Sequence, residues 1–132
     1  MDQIKQQLLE HDIRPTSQRL TIARLLLAKP QHLCADEVLK RVNQQTNLVS
    51  KATVYNTLNL FVEKELIREV IIDSGRVFYD SNTWAHHHIY NEDTGQLHDI
   101  DTSEVQLGDM PRLPSGTIGM GVDVIIRVRN KR

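Results

Sequence analysis

Apolar residues recur at helical spacing through the first half of the chain and alternate in strand fashion through much of the second. Ile4, Leu8 and Leu9 fall on one side of a short helix over residues 2–11. Arg14-Pro15 breaks it, because proline disfavours helix in the residue before it. Thr16 or Ser17 caps a second helix through LTIARLLLA, which stops near Pro30. Residues 34–44 predict a third, with Asp36 and Glu37 in the first turn, where the helix dipole favours acids. Its Val38, Leu39 and Val42 face the core. A connector, QTNLV (45–49), leads to SKATVYNTLNLFVEKELI, residues 50–67. Here Val54, Leu58, Phe61 and Val62 make one apolar stripe and Ser50 is the expected N-cap.

After Ile67 the period shortens. EVIID (69–73) and RVFY (76–79) read as strands joined by the turn Asp73-Ser74-Gly75. Three helices followed by a β-hairpin predict a winged helix-turn-helix over residues 1–80, whose last helix would enter a DNA major groove. Residues 81–132 predict a second, β-rich domain. HHHIYN (86–91) and QLHDI (96–100) form a hairpin around Glu92-Asp-Thr-Gly95. Residues 103–107 suit a helical stub or a turn, 110–116 a loop, and VDVIIRV (122–128) the strongest strand. The fold class is therefore α+β. A domain this small leaves strand edges bare, so pairing with a second copy is expected, and a twofold dimer would read a palindromic double-stranded site.

The candidate chemistry sharpens this outline. Ala52, Tyr55, Asn56 and Asn59 occupy a polar but almost uncharged side of the 50–67 helix. Carboxamides can donate to and accept from an adenine edge, and a ring can lie on a thymine methyl. Lys51 in the first turn suits a phosphate. A solvated face has the same pattern, and only the flanking winged-helix elements favour DNA. Net charge is −1 over 132 residues, which does not announce a nucleic-acid binder. Its distribution is more telling: Arg14, Arg19, Arg24, Lys29, Lys40, Arg41, Lys51, Lys64, Arg68 and Arg76 precede residue 80, and acids cluster between Asp80 and Asp109. With 39% hydrophobic and 25% charged residues the chain is globular rather than disordered. No apolar run reaches a membrane span, and MDQIKQQLLEHDIRP has no signal-peptide layout, so a cytoplasmic protein is expected. A single cysteine, Cys34, excludes an intrachain disulfide and a multi-cysteine zinc site.

His86 and His88 share one strand face and His87 takes the other. Two imidazoles so spaced can chelate one ion, with Asp99 on the next strand supplying an oxygen; a polar surface patch is the plainer alternative. Alone beside Pro30, His32 reads as surface. The chain shows no Gly-rich phosphate loop and no nucleophile elbow, which disfavours a metal-dependent enzyme. A metal or haem carrier would have no use for the winged helix.

RPTSQRLTIARLL, HLCADEVLKRV, KATVYNTLNLF and the HHH…DTGQLHD segment together resemble the ferric uptake regulator family across nearly the whole chain. The resemblance implies a cytoplasmic, dimeric, metal-responsive regulator that joins a winged helix to a C-terminal α/β dimerisation domain. It implies one regulatory site for a divalent ion (Fe, Mn or Zn) at His32, Asp80, His86, His88 and Asp99, which would link the two domains. It also implies a DNA-facing set of Arg14, Thr16, Arg19, Lys51, Thr53, Tyr55, Asn56 and Asn59, with Arg14 at the minor groove and Tyr55 at a base. Asn56 departs from the arginine common at that position, and Asn91 and Thr94 stand where a zinc-binding cysteine pair would. A second metal site at His87, with Asp101 and Glu104, would lack the usual histidine in the last strand. The ending, LPSGTIGMGVDVIIRVRNKR, is most similar to the iron response regulator branch, whose members respond to haem. On that footing His86, His87 and His88 are candidate haem ligands and iron or haem genes the expected targets. A peroxide-sensing or metal-uptake regulator is the alternative. Cys34 is not followed by proline, so the thiolate haem motif of some relatives is missing.

Overall fold

The computed structural model describes residues 2–44 and 49–132. They divide into two compact units, Met1–Thr83 and Trp84–Arg132. The connector expected at 45–49 lies outside the described residues except for Val49.

The first unit runs α1 (Gln3–Glu10), α2 (Ser17–Leu26), β1 (His32–Leu33), α3 (Ala35–Val42), α4 (Lys51–Glu63), β2 (Arg68–Asp73) and β3 (Arg76–Asp80). Side chains cap the starts of α1, α2 and α4. The Asp2 carboxylate accepts from the Ile4 N–H at 3.0 Å, the Thr16 hydroxyl from Arg19 at 3.3 Å, and the Ser50 hydroxyl from Thr53 at 3.1 Å. Leu8, Ile22, Leu26, Val38, Val54, Leu58 and Phe61 meet in one core completed by Leu66, Ile67 and Tyr79.

The sequence extends the last helix to Ile67, but α4 ends at Glu63. Glu65 takes a positive φ of 61°, and the Leu66 and Glu65 N–H groups bond back to the carbonyls of Phe61 (2.9 Å) and Val62 (3.0 Å). This is a Schellman stop, with Leu66 and Phe61 both buried. α1 ends the same way: Asp12 has φ 58°, and Ile13 bonds to the Leu8 carbonyl at 2.8 Å. No glycine precedes Gly75, so neither stop carries its usual sequence mark.

β1 has no counterpart in the sequence reading. It pairs antiparallel with β3 and makes a three-stranded sheet, ordered β1-β3-β2, from the expected hairpin. Gln31 anchors it: its side-chain amide donates to the Leu25 and Leu26 carbonyls at the end of α2 (2.8 and 3.1 Å). Its backbone is bracketed by Ser81, whose hydroxyl accepts from the Gln31 N–H at 3.1 Å.

In the second unit β4 (His86–Asn91) pairs antiparallel with β5 (Leu97–Asp101) and parallel with β6 (Ile125–Val128), giving the order β5-β4-β6. Asn91 shapes the hairpin turn, its side-chain oxygen accepting from the Asp93 and Thr94 N–H groups, and Gly95 supplies a φ of 75°. The resemblance implies an α/β unit here. Among the described residues its helix content is one 3₁₀ turn, Thr102–Glu104, so the helices of this α+β chain are segregated in the first unit. The strand expected over 122–128 is shorter, because the Val124 N–H goes to the His87 ring rather than to the ladder.

Candidate metal centre and nucleic-acid interface

Pairing in β4–β5 sets His88 opposite Asp99 and His86 opposite Asp101. The pleat puts both imidazoles on the face that Asp99 serves. His86 Nε2 and His88 Nε2 each lie 3.4 Å from the same oxygen, Asp99 Oδ1, with the rings edge to face. His88 is 1% exposed and His86 6%. His86 Nδ1 bonds to the Trp84 carbonyl. A carbonyl only accepts, so the Nδ1 carries the proton and a neutral ring turns its Nε2 lone pair toward the carboxylate. Two acceptors facing each other require a proton or a cation between them. Zinc or a similar ion with bonds of about 2.1 Å holds tetrahedral neighbours about 3.4 Å apart. Both Nε2–Oδ1 separations therefore match ligands of one divalent ion, and the Trp84 carbonyl orients the His86 ring as second partners of metal-binding histidines do.

In the first unit β1 carries His32 to Asp80, its register partner on β3. His32 Nε2 stands 3.8 Å from Asp80 Oδ2, and Asp80 Oδ1 accepts from the Asn82 N–H at 2.8 Å. Asp80 is wholly buried and His32 largely so, against the expectation of a surface histidine. That expectation fails because β1 is two residues long, too short for a periodic signal, and its anchor is the polar Gln31. His87 lies on the opposite face of β4, where its Nδ1 accepts from the Val124 N–H at 3.2 Å. Burial raises the Cys34 pKa above its ordinary value, which keeps the group a thiol and a poor metal ligand.

The DNA-facing candidates lie in the first unit. α4 buries Val54, Thr57, Leu58 and Phe61 and leaves Lys51, Ala52, Tyr55, Asn56 and Asn59 exposed. Lys51 Nζ lies 5.9 Å from the Tyr55 ring centroid, a cation–π contact on that open face. Thr16, Arg19, Thr53 and Asn56 line one concavity of about 370 Å³ together with Gln18, Thr57 and Leu60, which sequence reasoning did not single out. Arg19 also donates to the Arg14 carbonyl at 3.0 Å, tying the loop before α2 to that rim. Asn59 does not line the concavity. At the wing tip the Asp73 carboxylate accepts from the Gly75 N–H at 3.0 Å and pairs with Arg76.

A winged helix followed by a small sheet with a candidate nitrogen–oxygen metal site is the arrangement of a metal-responsive DNA-binding regulator, and the family match carries that class. The sequence profile of the ferric uptake regulator family matches residues 10–110, and the chain belongs to that family. It is a family of transcriptional regulators, not of enzymes. A peroxide-responsive repressor of Staphylococcus aureus is 33% identical over 101 residues, 76% of this chain and 67% of that protein. The fold matches the ferric uptake regulator of Pseudomonas aeruginosa solved with manganese, at a TM-score of 0.72 and 23% identity over 97% of this chain and 98% of that one. It also matches the Vibrio cholerae ferric uptake regulator, at 0.72 and 20% identity over 96% and 98%. The proposed kinship with the haem-responsive iron response regulators finds no support in these matches. It rests on the ending of the chain, which the family match, stopping at residue 110, does not reach. Among the described residues no helix is long and apolar enough to cross a membrane.

Proposed function

We propose that the chain is a homodimeric repressor of transcription whose affinity for palindromic DNA is set by a divalent ion and released by peroxide. The observation that carries the ion is the pair of imidazole Nε2 atoms converging on one oxygen of Asp99. In this reading His86, His88 and Asp99 hold the ion and His32 and Asp80 complete the set, as the family resemblance implies. Nitrogen and carboxylate donors without thiolate suit Fe(II), Mn(II) or Zn(II). When bound, the ion supplies a positive charge that the five side chains can share, and with Fe(II) a redox centre. The chain's own part is to fix ring tautomers, as Trp84 does for His86, and to offer Tyr55, Asn56 and Asn59 to bases and Lys51, Arg14 and Arg19 to backbone. Peroxide is preferred as the signal because the relative at 33% identity is a peroxide-responsive repressor.

Haem is the weaker signal. His86, His87 and His88 are all buried and each has a partner, so a porphyrin would have to open the sheet to reach any of them. The test is fluorescence anisotropy on a duplex selected from random sequence, with apo, Mn(II)-loaded and Fe(II)-loaded protein. Metal should raise affinity at least tenfold, and hydrogen peroxide should abolish binding of the Fe(II) form only. Equal affinity of apo and metal-loaded protein sinks the reading. A Soret shift on adding haem, with release of the duplex, would replace peroxide by haem.

A further inference from the structure

His87 lies between two metal-ligand candidates and has the chemistry to be a third, yet its ring is committed elsewhere. Its Nδ1 accepts from the Val124 N–H at 3.2 Å, and the ring is buried. A neutral imidazole has one proton, so an accepting Nδ1 puts that proton on Nε2. Ligation through Nε2 would send the proton to Nδ1, donor against donor with Val124. Neither nitrogen can bind iron or zinc while the contact stands.

The contact also has a place in the fold. The Val124 carbonyl accepts from the His88 N–H at 3.1 Å. Consecutive residues of β4 therefore hold both polar groups of Val124, immediately before β6 begins. β6 needs that hold. It joins β4 in parallel after residues 105–124, which contain no regular element, and its four residues are mostly exposed. Burial within the single chain adds little, and closing so long a connection costs chain entropy. In the β4–β6 register Ile125 is opposite His88.

We infer that His87 is a positioning residue: it docks β6 through Val124 and thereby fixes the backbone of His88, making metal affinity depend on the C-terminal strand. The inference rests on the metal site proposed above.

Two isosteres of different reach test it in the full-length protein. Asparagine places its side-chain oxygen near the Nδ1 position, and glutamine places it near Nε2. Co(II) absorption, Mn(II) affinity and hydrogen exchange at the Val124 amide are read for wild type, His87→Asn and His87→Gln. The expected result is near-wild-type behaviour for His87→Asn. In His87→Gln, Val124 exchange should be at least tenfold faster and Mn(II) binding about tenfold weaker, the size of effect usual for groups that orient a ligand. The Co(II) band positions should not move in either variant, because no ligand is lost. Changed bands in both variants would make His87 a ligand and overturn the inference, as would wild-type behaviour of both. His86→Ala is the control: if it binds Co(II) like wild type, the parent metal site fails instead.

Discussion

Asp99 Oδ1 faces two imidazoles, so in the proposed site each of the three side chains should be needed to hold an ion. His86→Ala, His88→Ala and Asp99→Ala should each reduce Mn(II) binding at least a hundredfold, measured by calorimetry, while His32→Ala should keep residual binding. Tight binding by His88→Ala would place the ion elsewhere. Farther from the site, the Asp2 carboxylate caps α1 and pairs with Arg24 at 2.5 Å, and the Arg24 hydrogen bond, then the Ile4 N–H, hold its pKa below the ordinary value. A lowered pKa in the fold gives stability that is complete above the unfolded pKa and is lost as pH falls through the folded one. Melting temperature should therefore fall more steeply below about pH 4 for wild type than for Asp2→Asn. Glu65 bears the cost of a left-handed backbone (φ 61°), and Glu65→Gly should raise stability by up to about 1 kcal/mol in urea unfolding. These single-residue features were legible in unequal measure. His86, His88 and Asp99 could be paired from strand alternation alone. His32 could not, because its position depends on β1 and on the contacts of Gln31 and Ser81, none of which leaves a periodic trace.

α4 divides its two tasks by face. Leu58→Ala empties a fully buried position and should cost about 2–5 kcal/mol of stability. Tyr55→Ala, at a position 38% exposed, should leave the melting temperature nearly unchanged and cost about 1–3 kcal/mol of affinity on the selected duplex, with relaxed sequence preference. Lys51→Ala should weaken all duplexes alike and flatten the salt dependence. If Tyr55→Ala bound like wild type, α4 would not be the reading element. The element was found by its stripe of Val54, Leu58 and Phe61, and its start by Ser50. Its end was missed because Leu66 and Ile67 continue the apolar pattern after the helix has stopped, and Glu65 gives no hint of the turn. The β6 strand was overextended for the converse reason: Val122 and Val124 look like strand, but the hydrogen bond that positions Val124 comes from a side chain.

The core of the first unit closes without residues beyond Tyr79, so a 1–83 fragment should fold by itself. It should sediment as a monomer, whereas the whole chain at micromolar concentration should sediment as a dimer; a dimeric fragment would move the self-association to the winged helix. Within the second unit the two strand pairings differ in how far apart in sequence their partners lie. The β4–β5 hairpin closes over the short turn after Asn91, while β6 must wait for the whole of residues 102–124. Local contacts form faster than distant ones. On refolding, His86, His88 and Asp99 should therefore come together before Val124 docks on His87, so an ion held by these three side chains would meet the hairpin ahead of its docking strand.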